Sequence, residues 1–121
     1  LDARELLMNR ILAVDDEPLL LELVVEELRT HGFDVEGACD GESAKVLLDS
    51  GKRYDLLVTD IRMPGKVDGL ALGQYFLGSN QLAEVVYMTG YAEIPQTLST
   101  RERLLRKPFR IGQLVALVTD G

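Results

Sequence analysis

Residues 55–60 read DLLVTD, a run that stays apolar where a half-wet strand would alternate. A near-continuous apolar strand fits burial on both faces, the condition of a parallel sheet sandwiched between helices, and places this segment near the sheet's centre. Other apolar runs recur along the chain. Each ends in polar or turn-forming residues, and helical patterns lie between them, which is the signature of repeated strand–helix units.

Five such pairs are expected. The first strand covers about Arg10–Val14 and leads into a helix over Pro18–His31, with Pro18 in its first turn, Gly32 as its stop and Leu20, Val24 and Leu28 facing the core. FDVEGA (33–38) reads as a second strand. GESAKVLLDSG (41–51) reads as a helix with Ala44, Leu47 and Leu48 inward and Gly51 closing it, and YDLLVTD (54–60) as the third strand. MPGKVDG (63–69) is a turn-rich loop before a helix LALGQYFLG (70–78). EVVYMTG (84–90) and RLLRKP (103–108) give strands four and five, and IGQLVALVTD (111–120) a closing helix. Between strands four and five, AEIPQTLSTRE (Ala92–Glu102) carries a central proline and several hydroxyl residues, so a short or broken, mobile helix is expected there.

A chain of 121 residues has the length of one domain with one sizeable core. Cys39 has no partner cysteine for an internal disulfide, and His31 is the only histidine, so there is no His/Cys cluster for zinc; a reducing, cytoplasmic setting is expected. No apolar stretch approaches the roughly 20 residues of a membrane span, so no insertion into a membrane is expected. The net charge is −7, with 15 acids against 6 bases in residues 1–60 and 5 against 7 thereafter, which argues against direct nucleic-acid binding. Met8 has the character of an initiator, so the seven residues before it read as a linker, an upstream fragment or a remnant, and the domain is expected over 10–121 with an N-terminal extension or linker at 1–9.

In an open parallel sheet, ligands bind beyond the carboxyl ends of the strands, near the point where strand order reverses. Asp15 and Asp16 end strand one, Asp60 strand three, Thr89 strand four and Lys107 strand five, so right-handed crossovers bring all five to one edge. Three carboxylates at such close quarters repel one another unless a cation answers them. Oxygen donors without histidine or cysteine favour magnesium. Asp60, on its own strand, suits a nucleophile for a phosphoryl group, with the Thr89 hydroxyl and the Lys107 ammonium clamping the phosphoryl oxygens. A cap role for Asp15 and Asp16 would need only one acid, and a turn role for Asp60 leaves the convergence unexplained.

ILAVDDEP, LLVTDIRMPGKVDG, VVYMTGYA and LLRKPF, in this order, resemble the receiver domain of bacterial two-component response regulators over residues 10 to about 119. The resemblance implies a doubly wound flavodoxin-like α/β sandwich with five parallel strands in the order 2-1-3-4-5. It implies phosphorylation of Asp60, direct Mg2+ ligation by Asp16 and Asp60, a further ligand from the Arg62 carbonyl, a coordinated water on Asp15, and a cis Lys107–Pro108 peptide. The donor is then a sensor histidine kinase or a histidine phosphotransfer protein, the reader a downstream protein, and a homodimer is among the assemblies the family forms. The domain would act as a regulatory phosphoprotein rather than an enzyme, although it catalyses its own phosphotransfer and slow dephosphorylation. An alternative is a degenerate receiver that binds partners without phosphorylation.

Departures from the family pattern accompany the match. Leu104 stands where an aromatic switch residue is usual, the MPGKVDG loop is one residue longer than its usual counterpart, and the Thr89–Lys107 interval is short. Arg62 and Tyr91 occupy the positions that tune phosphoryl loss, and their bulk points to slow hydrolysis; Tyr91 is also a candidate readout or cover. A phosphatase of the haloacid dehalogenase type needs an acid two places after its nucleophile, where this chain has Arg62. His31 reads as a helix-end group, Cys39 as a small strand residue, and the arginines around Lys107 (Arg101, Arg103, Arg106, Arg110) as solvated charge with an alternative in steering an acidic partner.

Overall fold

All five residues of the strand Leu56–Asp60 are buried, and the rest of the molecule is arranged to cover it. The computed structural model describes residues 10–90 and 97–120. Its strands are β1 (Arg10–Val14), β2 (Asp34–Ala38), β3 (Leu56–Asp60), β4 (Glu84–Thr89) and β5 (Glu102–Arg106); its helices are α1 (Pro18–Thr30), α2 (Gly41–Leu48), α3 (Gly69–Ser79) and α4 (Ile111–Asp120). The strands form one parallel sheet in the order β2-β1-β3-β4-β5, with β3 at its centre. Strand order reverses between β1 and β3, so the crevice expected for a ligand opens beyond Val14 and Asp60.

Period-two alternation splits the apolar side chains into two layers. Ile11, Ala13, Val58, Val86, Met88 and Leu105 pack with Val24, Val25 and Leu28 of α1 and Leu114 of α4. Leu12, Val14, Leu57, Val85 and Tyr87 pack on the other face with Ala44 of α2 and Leu72 and Phe76 of α3. Each fully buried side chain of this kind contributes about 1.5–3 kcal/mol relative to exposure, which is why the strands read as continuous apolar runs.

The helix ends follow local chemistry. Pro18 opens α1 behind an extended Glu17, and the helix closes at Gly32, whose φ of +91° favours glycine. The His31 ring nitrogen Nδ1 lies 3.0 Å from the Glu27 carbonyl, as expected of a helix-end histidine. Asp40 caps α2 by accepting the Ser43 N–H at 2.7 Å, and Asp68 caps α3 by accepting the Ala71 N–H at 2.8 Å. The Arg101 guanidinium donates to the carbonyls of Leu77 (3.0 Å), Asn80 and Ala83 (2.9 Å), closing the C-terminal end of α3. Arg103 donates to the Leu117 carbonyl of α4. Two of the four arginines near Lys107 therefore tie helix ends to the sheet rather than standing as freely solvated charge.

Some boundaries differ from expectation. The second helix stops at Leu48, where Asp49 forms the cap, and Gly51 lies in the turn beyond. The fifth strand stops at Arg106, so Lys107 is the first residue past the ladder. Cys39 is not a strand residue: Ala38 pairs with Val14, the last residue of β1, and Cys39 falls in the exposed bend beyond. Residues 97–101 are irregular or turn rather than helical, while Tyr91 to Gln96, and with them the first half of the expected mobile helix, lie outside the described residues, as do residues 1–9.

Candidate functional site

The ends of β1, β3 and β5 bring their acids and their lysine together. Asp15, Asp16 and Asp60 each offer a carboxylate oxygen within 4.8 Å of the others. Asp15 is wholly buried and held from two sides: one oxygen accepts the Glu17 N–H at 2.8 Å and the other accepts from Lys107 Nζ at 2.9 Å. The same ammonium reaches Glu17 Oε1 at 3.3 Å and Asp60 Oδ2 at 3.4 Å. Asp16 is exposed at the mouth. Thr89 is buried at the end of β4, and its carbonyl accepts the Lys107 N–H at 2.7 Å. The Lys107–Pro108 peptide is cis, as the resemblance implies.

Close backbone packing fixes Asp60. A Cβ on Gly69 would lie 1.9 Å from the Asp60 carbonyl oxygen, so only glycine lets the start of α3 approach the strand end this closely. The Gly69 N–H closes the intervening loop on the Ile61 carbonyl at 2.8 Å. Asp16, Arg62, Met63, Pro64, Gly65, Lys66 and Asp68 line an open depression of 430 Å³ beside the carboxylates. Arg62 is thus at the rim of the carboxylate cluster.

Charge is unbalanced here. Burial pushes the Asp60 carboxyl up to about 6, against the pull of Lys107, and the charges of Asp15 and Asp16 add to the rise. Burial alone would lower Lys107, but the carboxylates of Asp15, Asp60 and Glu17 outweigh it and hold the ammonium above its usual range. One lysine cannot satisfy four acids. An additional hard cation fits the donor set and would offset the neighbouring charges that add to the rise of Asp60.

The family model of the response regulator receiver domain matches residues 11–119. The chain belongs to the response regulator receiver family. The receiver is 35% identical over 114 residues to the transcriptional regulatory protein CpxR of Escherichia coli (strain K12), an alignment covering 92% of this chain and 48% of that protein. It therefore spans about half the length of the curated relatives it matches. Among solved structures, the receiver domain of the hybrid histidine kinase CckA superposes with a TM-score of 0.80 at 33% identity, covering 93% of this chain and 97% of that one. TrrA of Thermotoga maritima, solved in complex with Mg(2+)-BeF, gives a TM-score of 0.79 at 35% identity, with 93% and 98% covered. The doubly wound order 2-1-3-4-5 is the receiver fold, and no helix among the described residues is long and apolar enough to cross a membrane.

The structure brings together Asp15, Asp16, Asp60 and Lys107, with Thr89 one strand away and Arg62 at the rim. Sequence reasoning missed Glu17, the third acid of the DDEP stretch, which shares the lysine. It also missed Glu42, whose carboxylate accepts the N–H groups of Lys66 and Val67 in the loop after β3. Glu17 had a signal in its place beside the aspartates; Glu42 had none beyond a first-turn position.

Proposed function

We propose that this receiver accepts a phosphoryl group on Asp60 from a phosphohistidine of a sensor histidine kinase or histidine phosphotransfer protein. The modified domain then differs in affinity for a downstream protein. The observation that carries the reading is the gathering of three carboxylates and one lysine at the switch point of the sheet. Asp16 and Asp60 would hold Mg2+ directly, the Arg62 carbonyl would add a ligand, and Asp15 would orient a coordinated water. When bound, the ion supplies positive charge against the carboxylates and the incoming phosphoryl oxygens.

The chain's own groups do the rest. An Asp60 oxygen forms a bond to phosphorus as the phosphorus–nitrogen bond of the donor breaks, and the imidazole leaves with the bonding pair. Lys107 is held by Asp15 within reach of Asp60, so its ammonium faces the oxygens that gain charge. The Thr89 hydroxyl donates to another of those oxygens. Burial of Asp60 keeps bulk water from its carboxyl, which favours a persistent acyl phosphate. The domain so described, residues 10–121 behind an extension or linker at 1–9, acts in the cytoplasm as a regulatory phosphoprotein rather than a turnover enzyme, and pairing into a homodimer is compatible with it. The complete set of acids, threonine and lysine supports a phosphorylated receiver over a degenerate one.

Incubation with Mg2+ and a small acyl phosphate tests this. Intact-mass spectrometry is expected to show a gain of about 80 Da that is absent without Mg2+ and absent in Asp60→Asn. Persistent modification of the Asn variant, or none of the wild type, overturns the assignment.

A further inference from the structure

Glu42 lies in the first turn of α2, away from the carboxylate cluster, yet it touches the segment that lines the metal site. Its Oε1 accepts the N–H of Lys66 at 3.1 Å and of Val67 at 3.0 Å. That segment begins at Asp60 and ends where Gly69 bonds back to Ile61, and Arg62, Pro64, Gly65, Lys66 and Asp68 within it are exposed. Ile61 and Met63 anchor its first half in the core and Val67 packs against the same cluster, whereas the exposed turn at Pro64–Lys66 depends on polar bonds to hold one shape.

Packing around the anchor is tight. Gly65 has a φ of +100°, and a Cβ there would fall 2.4 Å from the Glu42 carboxylate, so the glycine both makes the turn and admits the acid. A Cβ on Gly41 would lie 2.0 Å from the Val67 carbonyl oxygen, which places the start of α2 directly against the loop. Asp40 caps that helix start through Ser43, so Glu42 projects from a fixed turn.

We infer that Glu42 is a positioning residue for the metal site: by clamping Lys66 and Val67 it holds the loop whose Arg62 carbonyl would serve as a ligand. The inference rests on the ligand set of the preceding section. Groups that orient ligands from behind commonly matter about 10–100-fold in metal affinity. Both bonds go to a single oxygen, so the role needs an acceptor, not a charge. The amide oxygen of glutamine can take it over.

Wild type, Glu42→Ala and Glu42→Gln separate the possibilities. Hydrogen exchange in metal-free protein is expected to show the Lys66 and Val67 amides losing protection in the alanine variant while the strand amides keep theirs. Calorimetric titration with Mg2+ is expected to show affinity falling about tenfold or more in the alanine variant and staying within about twofold in the glutamine one. Saturating Mg2+ should restore acyl-phosphate labelling of the alanine variant. Unchanged Mg2+ affinity in Glu42→Ala, with wild type labelled normally, overturns this inference alone. Equal weakening in Glu42→Gln overturns it in favour of a charge effect, and a wild type that takes up neither Mg2+ nor phosphoryl overturns it together with the function proposed above.

Discussion

The two ends of the sheet handle charge in opposite ways. Towards the amino end, three acids each have a cation: Arg10 pairs with Asp34 at 3.1 Å, Lys52 with Glu36 at 2.9 Å and Arg53 with Asp55 at 3.4 Å. At the carboxyl end, Asp15, Glu17 and Asp60 share Lys107, with Asp16 beside them. The chemical result differs in sign. Lys52 leads the influences that lower Glu36 despite some burial, whereas burial and crowded acids raise Asp60 to about 6. Charge is paired off one to one around β2 and left crowded at the site.

The contrast can be broken most strongly at Lys107. Replacing it with alanine leaves the wholly buried Asp15 without its ion pair, and denaturant unfolding of metal-free protein is expected to show a loss of about 3–5 kcal/mol. Gly69→Ala comes next. The added methyl must displace the Asp60 carbonyl, so unfolding is expected to show about 1–3 kcal/mol of destabilisation, and calorimetry weaker Mg2+ binding.

Asp60→Asn acts in the opposite direction. The folded state holds the Asp60 proton more tightly than the unfolded chain, so in metal-free wild type this group favours folding at low pH and loses that advantage as pH rises from about 3.8 to about 6. The asparagine variant lacks the loss. Without metal it is expected to be more stable than wild type above that window by on the order of 1–2 kcal/mol, discounted for solvent screening, and the gap should close towards pH 4. Melting curves across pH with a chelator present read this directly. The smallest effect belongs to the balanced end: Lys52→Ala should change stability by less than about 1 kcal/mol and leave acyl-phosphate labelling as in wild type.

Much of this arrangement was legible in the residues, and for a physical reason. Strands buried on both faces write themselves as apolar runs, and Asp15, Asp60 and Lys107 stand where three such runs stop, so locating the strands located the site. Ile111–Asp120 was legible as a helix at both ends because its apolar spacing has no competing strand pattern. What stayed hidden depends on partners distant in the chain. Cys39 looks like a continuation of DVEGA, but β2 is an edge strand and its ladder ends where β1 turns away at Asp15. Glu42 looks like an ordinary first-turn acid, and nothing local announces that Lys66 and Val67 will lie against it. Arg101 and Arg103 look like solvated charge, and only the packed molecule supplies the helix carbonyls they bind.

The bond from the Lys107 amide to the Thr89 carbonyl has a mechanical consequence. The backbones that carry hydroxyl and ammonium are mounted like two tines cast in one piece, and the carboxylate of Asp15 then sets where the ammonium ends. A shift in the backbone of one is passed through that bond to the backbone of its twin.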